Sequence, residues 1–134
     1  MGLREEDRRI LVDLELEKAE NTFRQVAVMQ RECYWDTMAN RLYYSLFHAV
    51  CALLINDQRE VGSHKGAAIR FHQYYVKTGV FTAEEGSFYS QMETLREKSD
   101  YNCFFNVTEG DIVPKVVPAA SFIEKVKQYI AENK

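Results

Sequence analysis

The sequence predicts an all-α fold, an up-and-down helical bundle of about five helices in a single domain covering residues 1–134. Apolar residues return at steps of three and four through long stretches. Glycine and proline are sparse, 6 and 2 in 134 residues, and fall between those stretches. Ser63, Thr82 and Thr108 each stand where a helix can be capped. A chain of this length buries a proper core without disulfide or metal staples.

The first helix is expected from about Glu5 to Gln30, where Val12, Leu16, Ala19, Phe23 and Val26 form one stripe opposite a charged face. The second should start near Asp36, a plausible N-cap, and run to about Ile55, with Asn56, Asp57 and Gly62 marking its exit. Its composition is apolar nearly all round, with Leu42, Leu46, Phe47, Val50, Leu53 and Leu54, as befits the central helix. Ser63 caps a third helix ending near Lys77, with Gly79 as terminator. The stretch "TAEE" from Thr82 to Glu85 is a capping-box pattern and opens a fourth helix to about Ser99. "NCFFN" reads as a short aromatic turn. Thr108 to Asp111 starts the last helix, delayed or kinked by Pro114 and Pro118 and continued by Val116, Ala119, Ile123, Val126 and Ile130.

A formal net charge of −3, from 17 Lys+Arg and 20 Asp+Glu scattered along the chain, argues against a uniformly basic nucleic-acid binder. A local basic patch stays compatible with it. Cys33, Cys51 and Cys103 have neither zinc spacing nor a disulfide pattern, so a reduced, cytoplasmic setting is expected. The start "MGLREEDRR" is not that of a signal peptide, and no apolar run is expected to cross a membrane. The three histidines and dispersed carboxylates show no metal-ligand spacing, and no glycine-rich phosphate loop occurs, so neither metal nor cofactor is expected.

Polar groups nonetheless interrupt the central helix. At helical spacing Arg41, Tyr44, Ser45 and His48 share one side of it. A guanidinium there must meet an anion, carbonyls or water. The fourth helix offers Arg96, Asp100 and Tyr101, and Asp100 can pair with either Arg41 or Arg96. Such a stripe is either a satisfied hydrogen-bond network that fixes two helices, or a cleft for a phosphate-bearing ligand. His64 either helps close the start of the third helix or binds an anion there with Lys65. His72 reads as a surface or boundary residue. Phe71, Tyr74, Tyr75, Phe104 and Phe105 suit a core or a dimer interface, with a base-stacking surface as the alternative.

"NRLYYSLFHAVCALL", "SHKGAAIRFHQYYVKTG" and "LREKSDYN", in that order, resemble the small stand-alone prokaryotic members of the HEPN family. The resemblance covers roughly Asp36 to Asn106. It implies a helical bundle that commonly dimerises, bringing two copies of the polar groups to a shared cleft. It also implies a minimal nucleotidyltransferase partner in a toxin–antitoxin-like module. Several branches of the family are metal-independent ribonucleases, marked by an arginine followed after four to six positions by a histidine late in the domain. No histidine follows Arg96 in this chain. Arg41 and His48 satisfy that spacing formally but lie in the second helix.

The expected function is therefore binding of nucleotide or RNA, together with a nucleotidyltransferase-type antitoxin, through Arg41, Tyr44, Ser45, His48, His64, Lys65, Arg96, Asp100 and Tyr101. One alternative is a dimeric ribonuclease toxin, in which Arg96, Tyr101 and His48 would be catalytic. The other is a non-catalytic structural dimer.

Overall fold

A computed structural model describes residues 3–134 and contains helices and turns, with no strand among the described residues. The expectation of a leaderless start rests partly on Met1 and Gly2, which lie outside them. The long helices are α1 (Glu5–Arg31), α2 (Trp35–Asn56), α4 (Ala83–Tyr101) and α6 (Val116–Glu132). Between them lie α3 (His64–Phe71), continued by a π-helical turn (His72–Val76), and the short α5 (Glu109–Ile112), continued by a 3-10 turn (Val113–Lys115).

α2 is the axle. Its apolar surface is spent on neighbours on most sides: Met38, Leu42, Leu46, Val50, Leu53 and Leu54 are all fully buried. At 22 residues it is long and apolar enough to cross a membrane, which departs from the expectation that no such run exists. About two thirds of the qualifying stretch, 67 %, is nevertheless covered by the other helices. α1 lays Val12, Ala19, Thr22 and Val26 against it, a stripe spaced at sevens, threes and fours.

Hydrogen bonds fix the direction of each helix. Arg8 near the start of α1 reaches the carbonyl of Asn56 at the end of α2. Asn40 near the start of α2 reaches Asp100 at the end of α4. Tyr75 and Tyr129 both reach Asp57. α2, α3 and α6 therefore run one way, and α1 and α4 the other. The segment 57–63 returns alongside α2, so that the first residue of α3, His64, comes level with Tyr43 and Phe47.

Local chemistry explains the helix starts. The Ser63 hydroxyl accepts from the Gly66 N–H, and Thr82–Glu85 and Thr108–Asp111 close full capping boxes. Asp36 does not cap α2. The helix begins at Trp35, with no side-chain cap from Tyr34. The Asp36 carboxylate instead accepts from the Val107 N–H and the Ser99 hydroxyl, tying the far end of the chain to α2. The single last helix foreseen from Thr108 is broken in two. Pro114 sits in the 3-10 turn, and Pro118 falls in the first turn of α6, where a missing N–H breaks no helical hydrogen bond.

The aromatic residues mostly fill the core: Phe71, Phe81, Tyr89 and Phe122 pack ring against ring at centroid distances of 5.1 to 5.9 Å. Tyr75 joins them, and Tyr74 lies half-buried under the Arg59 guanidinium. Exceptions are Phe104, Tyr101 and Tyr34, of which Phe104 is 94 % exposed.

Candidate functional site

One strip of α2 is left only half covered by the bundle, and it carries Arg41, Tyr44, Phe47 and His48. α1 borders one side of this strip. Gln25 accepts from Arg41 Nη1 at 3.1 Å, and Glu15 meets His48 Nδ1 at 2.7 Å. α4 supplies the other edge through Arg96 and Asp100, and His64 closes the side where α3 begins.

Arg96 is the unusual member. It is only 6 % exposed, and although burial works against its charge, Tyr44, Tyr43 and Asp100 outweigh that, yet its guanidinium makes no close hydrogen bond among the described residues. Its Cζ lies 4.8 Å from the ring centre of Tyr43 and 5.6 Å from that of Tyr44, within cation–π range. Its ion pair with Asp100 spans 3.6 Å, too long for a good hydrogen bond, and its buried Nε has no partner. A guanidinium keeps its charge, and a buried donor without an acceptor costs about 1–3 kcal/mol or more.

Asp100 thus belongs directly to Arg96. It reaches Arg41 only through Asn40, whose amide donates to Asp100 at 3.4 Å while its carbonyl accepts from Arg41 at 2.7 and 3.1 Å.

Tyr43 links the buried and open parts. It is fully buried, and its hydroxyl lies 2.9 Å from His64 Nδ1. Burial, and then the charge of Glu93, push its phenol far above the usual range. Burial, followed by the charges of Arg96 and His48, pushes His64 below its ordinary 6.5. A neutral His64 can accept from the Tyr43 hydroxyl at Nδ1, which places the ring proton on Nε2. The His64 ring stacks on Phe47 at 4.1 Å. The Tyr89 hydroxyl lies beside that of Tyr43, but it is buried and completes no well-aligned hydrogen bond. Burial and the neighbouring Glu97 raise the carboxyl of Glu93.

Arg41, Tyr44, His48, His64, Arg96 and Asp100 therefore come together. Ser45 does not join them: it is fully buried, and its hydroxyl turns back to the Leu42 carbonyl. Lys65 is exposed beside His64, and Tyr101 is 79 % exposed at the end of α4. His72 is half-buried and structural in its contacts, its ring nitrogens facing the carbonyls of Ala68 and Gly86 at 2.8 and 3.1 Å. Among the described residues no three His, Cys, Asp or Glu side chains gather as a metal site. Hollows elsewhere, such as the one between α1 and α6 lined by Phe23, Arg24 and Ile123, contain none of the polar-strip residues.

Tyr43, Asn40, Gln25 and Glu15 were missed in sequence. Tyr43 sits on the apolar side of α2, and its partner is 21 residues away. Glu15 and Gln25 blend into the charged face of α1.

The HEPN domain profile matches residues 12–129. The chain belongs to the HEPN family. A UPF0332 protein of Thermotoga maritima is 32 % identical over 95 residues, covering 71 % of this chain and 72 % of its own length. A candidate toxin of Methanocaldococcus jannaschii is 24 % identical over 115 residues, covering 86 % and 78 %. A UPF0332 protein of Archaeoglobus fulgidus is 24 % identical over 123 residues, covering 92 % and 98 %. The HEPN match takes in α2, α3 and α4, the three helices that supply Arg41, His48, His64 and Arg96. In this HEPN chain no histidine follows Arg96 on α4, and an imidazole that feels the charge of Arg96 comes from the start of α3.

Proposed function

We propose that this HEPN protein binds nucleotide or RNA phosphate in the groove of Arg96, and that it acts with a nucleotidyltransferase-type antitoxin in a toxin–antitoxin-like module. The observation that carries the reading is the buried Arg96 guanidinium, with its orphaned Nε and its long contact to Asp100. The Arg96 Nη atoms have no polar contact closer than the 3.6 Å one to Asp100 among the described residues, and a phosphate oxygen would supply charge-assisted hydrogen bonds there. Tyr44, Phe47 and the His64 ring add half-buried π surface at the same place. The candidate toxin among the relatives agrees with the module. Its test is thermal unfolding with a nucleoside monophosphate and with a trinucleotide. Ligand binding should raise the melting temperature, and Arg96→Gln should erase the shift. No shift with either probe, and no nucleotidyltransferase recovered in a pull-down, would reject the reading.

We infer that a second copy of the chain docks along α1, a reading supported by its exposed apolar residues. Ile10 and Leu14, one turn apart, are 56 % and 54 % exposed, and Leu11 lies one turn before Glu15, the partner of His48. A dimer across this strip would lie beside the groove. Leu14→Glu should then turn a dimer into a monomer in light scattering.

Ribonuclease activity is the second reading, favoured by His64 and Arg96 both lying against Tyr43. Purified protein would then degrade RNA in the presence of chelator, and Arg96→Ala would abolish this. Intact RNA with the unmutated protein removes it.

A further inference from the structure

His64 is held by two independent constraints. Stacking on Phe47 at 4.1 Å fixes the plane of its ring, and the Tyr43 hydroxyl at 2.9 Å from Nδ1 fixes its rotation within that plane. Nδ1 is thereby occupied. Nε2 has no hydrogen bond among the described residues, so it is the ring atom left for a ligand. The same tyrosine carries Arg96 on its ring face at 4.8 Å. One fully buried side chain thus sets both an imidazole and a guanidinium.

We propose that Tyr43 is a positioning residue that keeps the His64 proton on Nε2, so that His64 and Arg96 present paired N–H donors to one phosphate group. The proposal rests on the reading that the groove takes a phosphate-bearing ligand, and it names the part of the machinery that orients the donors. The groups acting on His64 are Tyr43, Tyr44 and His48 from α2, Lys65 from its own helix, and Arg96 and Glu97 from α4. An imidazolium would repel Arg96 in this setting. A neutral ring donating through Nε2 adds a hydrogen bond to phosphate without that repulsion. Protonation at Nδ1 would force the Tyr43 hydroxyl to find another acceptor inside the core, which resists the change. The His64 contribution to phosphate binding, read as wild type against His64→Ala at the same pH, should therefore vary little with pH while Tyr43 holds the ring.

The experiment uses the full chain with nitrogen-15-labelled histidine. Ring nitrogen–proton correlation spectra report the tautomer directly, and inorganic phosphate is titrated against chloride at equal ionic strength between about pH 5 and 8. The wild type should show a single Nε2–H tautomer for His64, and phosphate should move the His64 resonance. Tyr43→Phe keeps the ring under Arg96 but removes the hydroxyl. It should give mixed tautomers, a higher His64 midpoint, several-fold weaker phosphate binding near neutral pH, and binding that strengthens on acidification. His64→Gln, whose amide nitrogen replaces Nε2–H, should retain more phosphate affinity than His64→Ala. An Nδ1–H tautomer in the wild type, or a tautomer and midpoint unchanged in Tyr43→Phe, overturns the role of Tyr43 even when phosphate binds. A locked tautomer with resonances unmoved by phosphate overturns the donor pair and the ligand reading together.

Discussion

The carboxylate of Asp100 stands 3.6 Å from the guanidinium of Arg96, one turn away on α4, although Arg96 is almost wholly buried. The fold thus keeps a charge in its interior without a close hydrogen bond to it. Replacing such a group by an apolar one of similar length often stabilises a protein, by about 1–4 kcal/mol. Arg96→Met is expected to raise the urea midpoint while abolishing any nucleotide-dependent rise in melting temperature. A destabilised variant would mean that Arg96 belongs to the scaffold.

A different cluster holds the opposite end of α2. Tyr75 and Tyr129 both donate to Asp57 Oδ2 at 2.7 Å, and Asn56 donates to its other oxygen at 3.0 Å. Burial, then the bond to Asp57, pushes the Tyr129 phenol up to about 12, so it stays a donor at neutral pH. Asp57→Ala should cost about 1–3 kcal/mol in chemical unfolding, because it leaves the buried Tyr75 hydroxyl only the Leu53 carbonyl at 3.2 Å and the half-buried Tyr129 hydroxyl without its acceptor. Adding Tyr129→Phe should cost less than the sum of the single changes, as members of one network do not add.

Acid should weaken the fold through His64. Its folded value lies below the ordinary 6.5, so the unfolded chain binds the proton more readily. The stabilising contribution is complete above that ordinary value and is lost as pH falls through the folded one. Glu93 has the opposite sign: its folded value is raised, so its contribution is present below the ordinary 4.5 and lost as pH rises. Urea midpoints measured across this range should show His64→Gln flattening the loss on the acid side. Glu93→Gln should gain stability at neutral pH relative to acid.

Gly86 allows α4 to approach the π turn. A Cβ there would lie 3.0 Å from both methyl carbons of Val76, and the Gly86 carbonyl also faces His72 Nε2. Gly86→Ala should destabilise by about 1–3 kcal/mol through overpacking, despite the better helix propensity of alanine. The thermal midpoint reports it, and pairing the change with Val76→Ala should recover most of the loss.

The helices and three of their starts were legible because their signals are local. Ser63, Thr82 and Thr108 bond N–H groups three residues on, as their spacing says. Asp36 carried the same local signal, but its carboxylate found Val107, 71 residues away. The polar face of α2 was legible in part. Arg41, Tyr44 and His48 lie on the open strip, whereas Ser45, one residue past Tyr44, turns inward. His64 looked like a helix-start residue because nothing in its surroundings names Tyr43. The return of segment 57–63 along α2, which joins them, is a long-range result of how the bundle closes.

The π turn at His72–Val76 behaves as a helix that has absorbed one extra residue, closed by the Lys77 N–H bonding back to the His72 carbonyl. That insertion lets one continuous rod serve two phases, turning Phe71 toward the aromatic core and Tyr75 toward Asp57. Removing solvent-facing Gln73 would restore regular winding and roughly keep the downstream phase, whereas one further inserted residue there would swing everything downstream by about 100 degrees. An insertion that looks harmless on the surface would thus unhook the far end of α2.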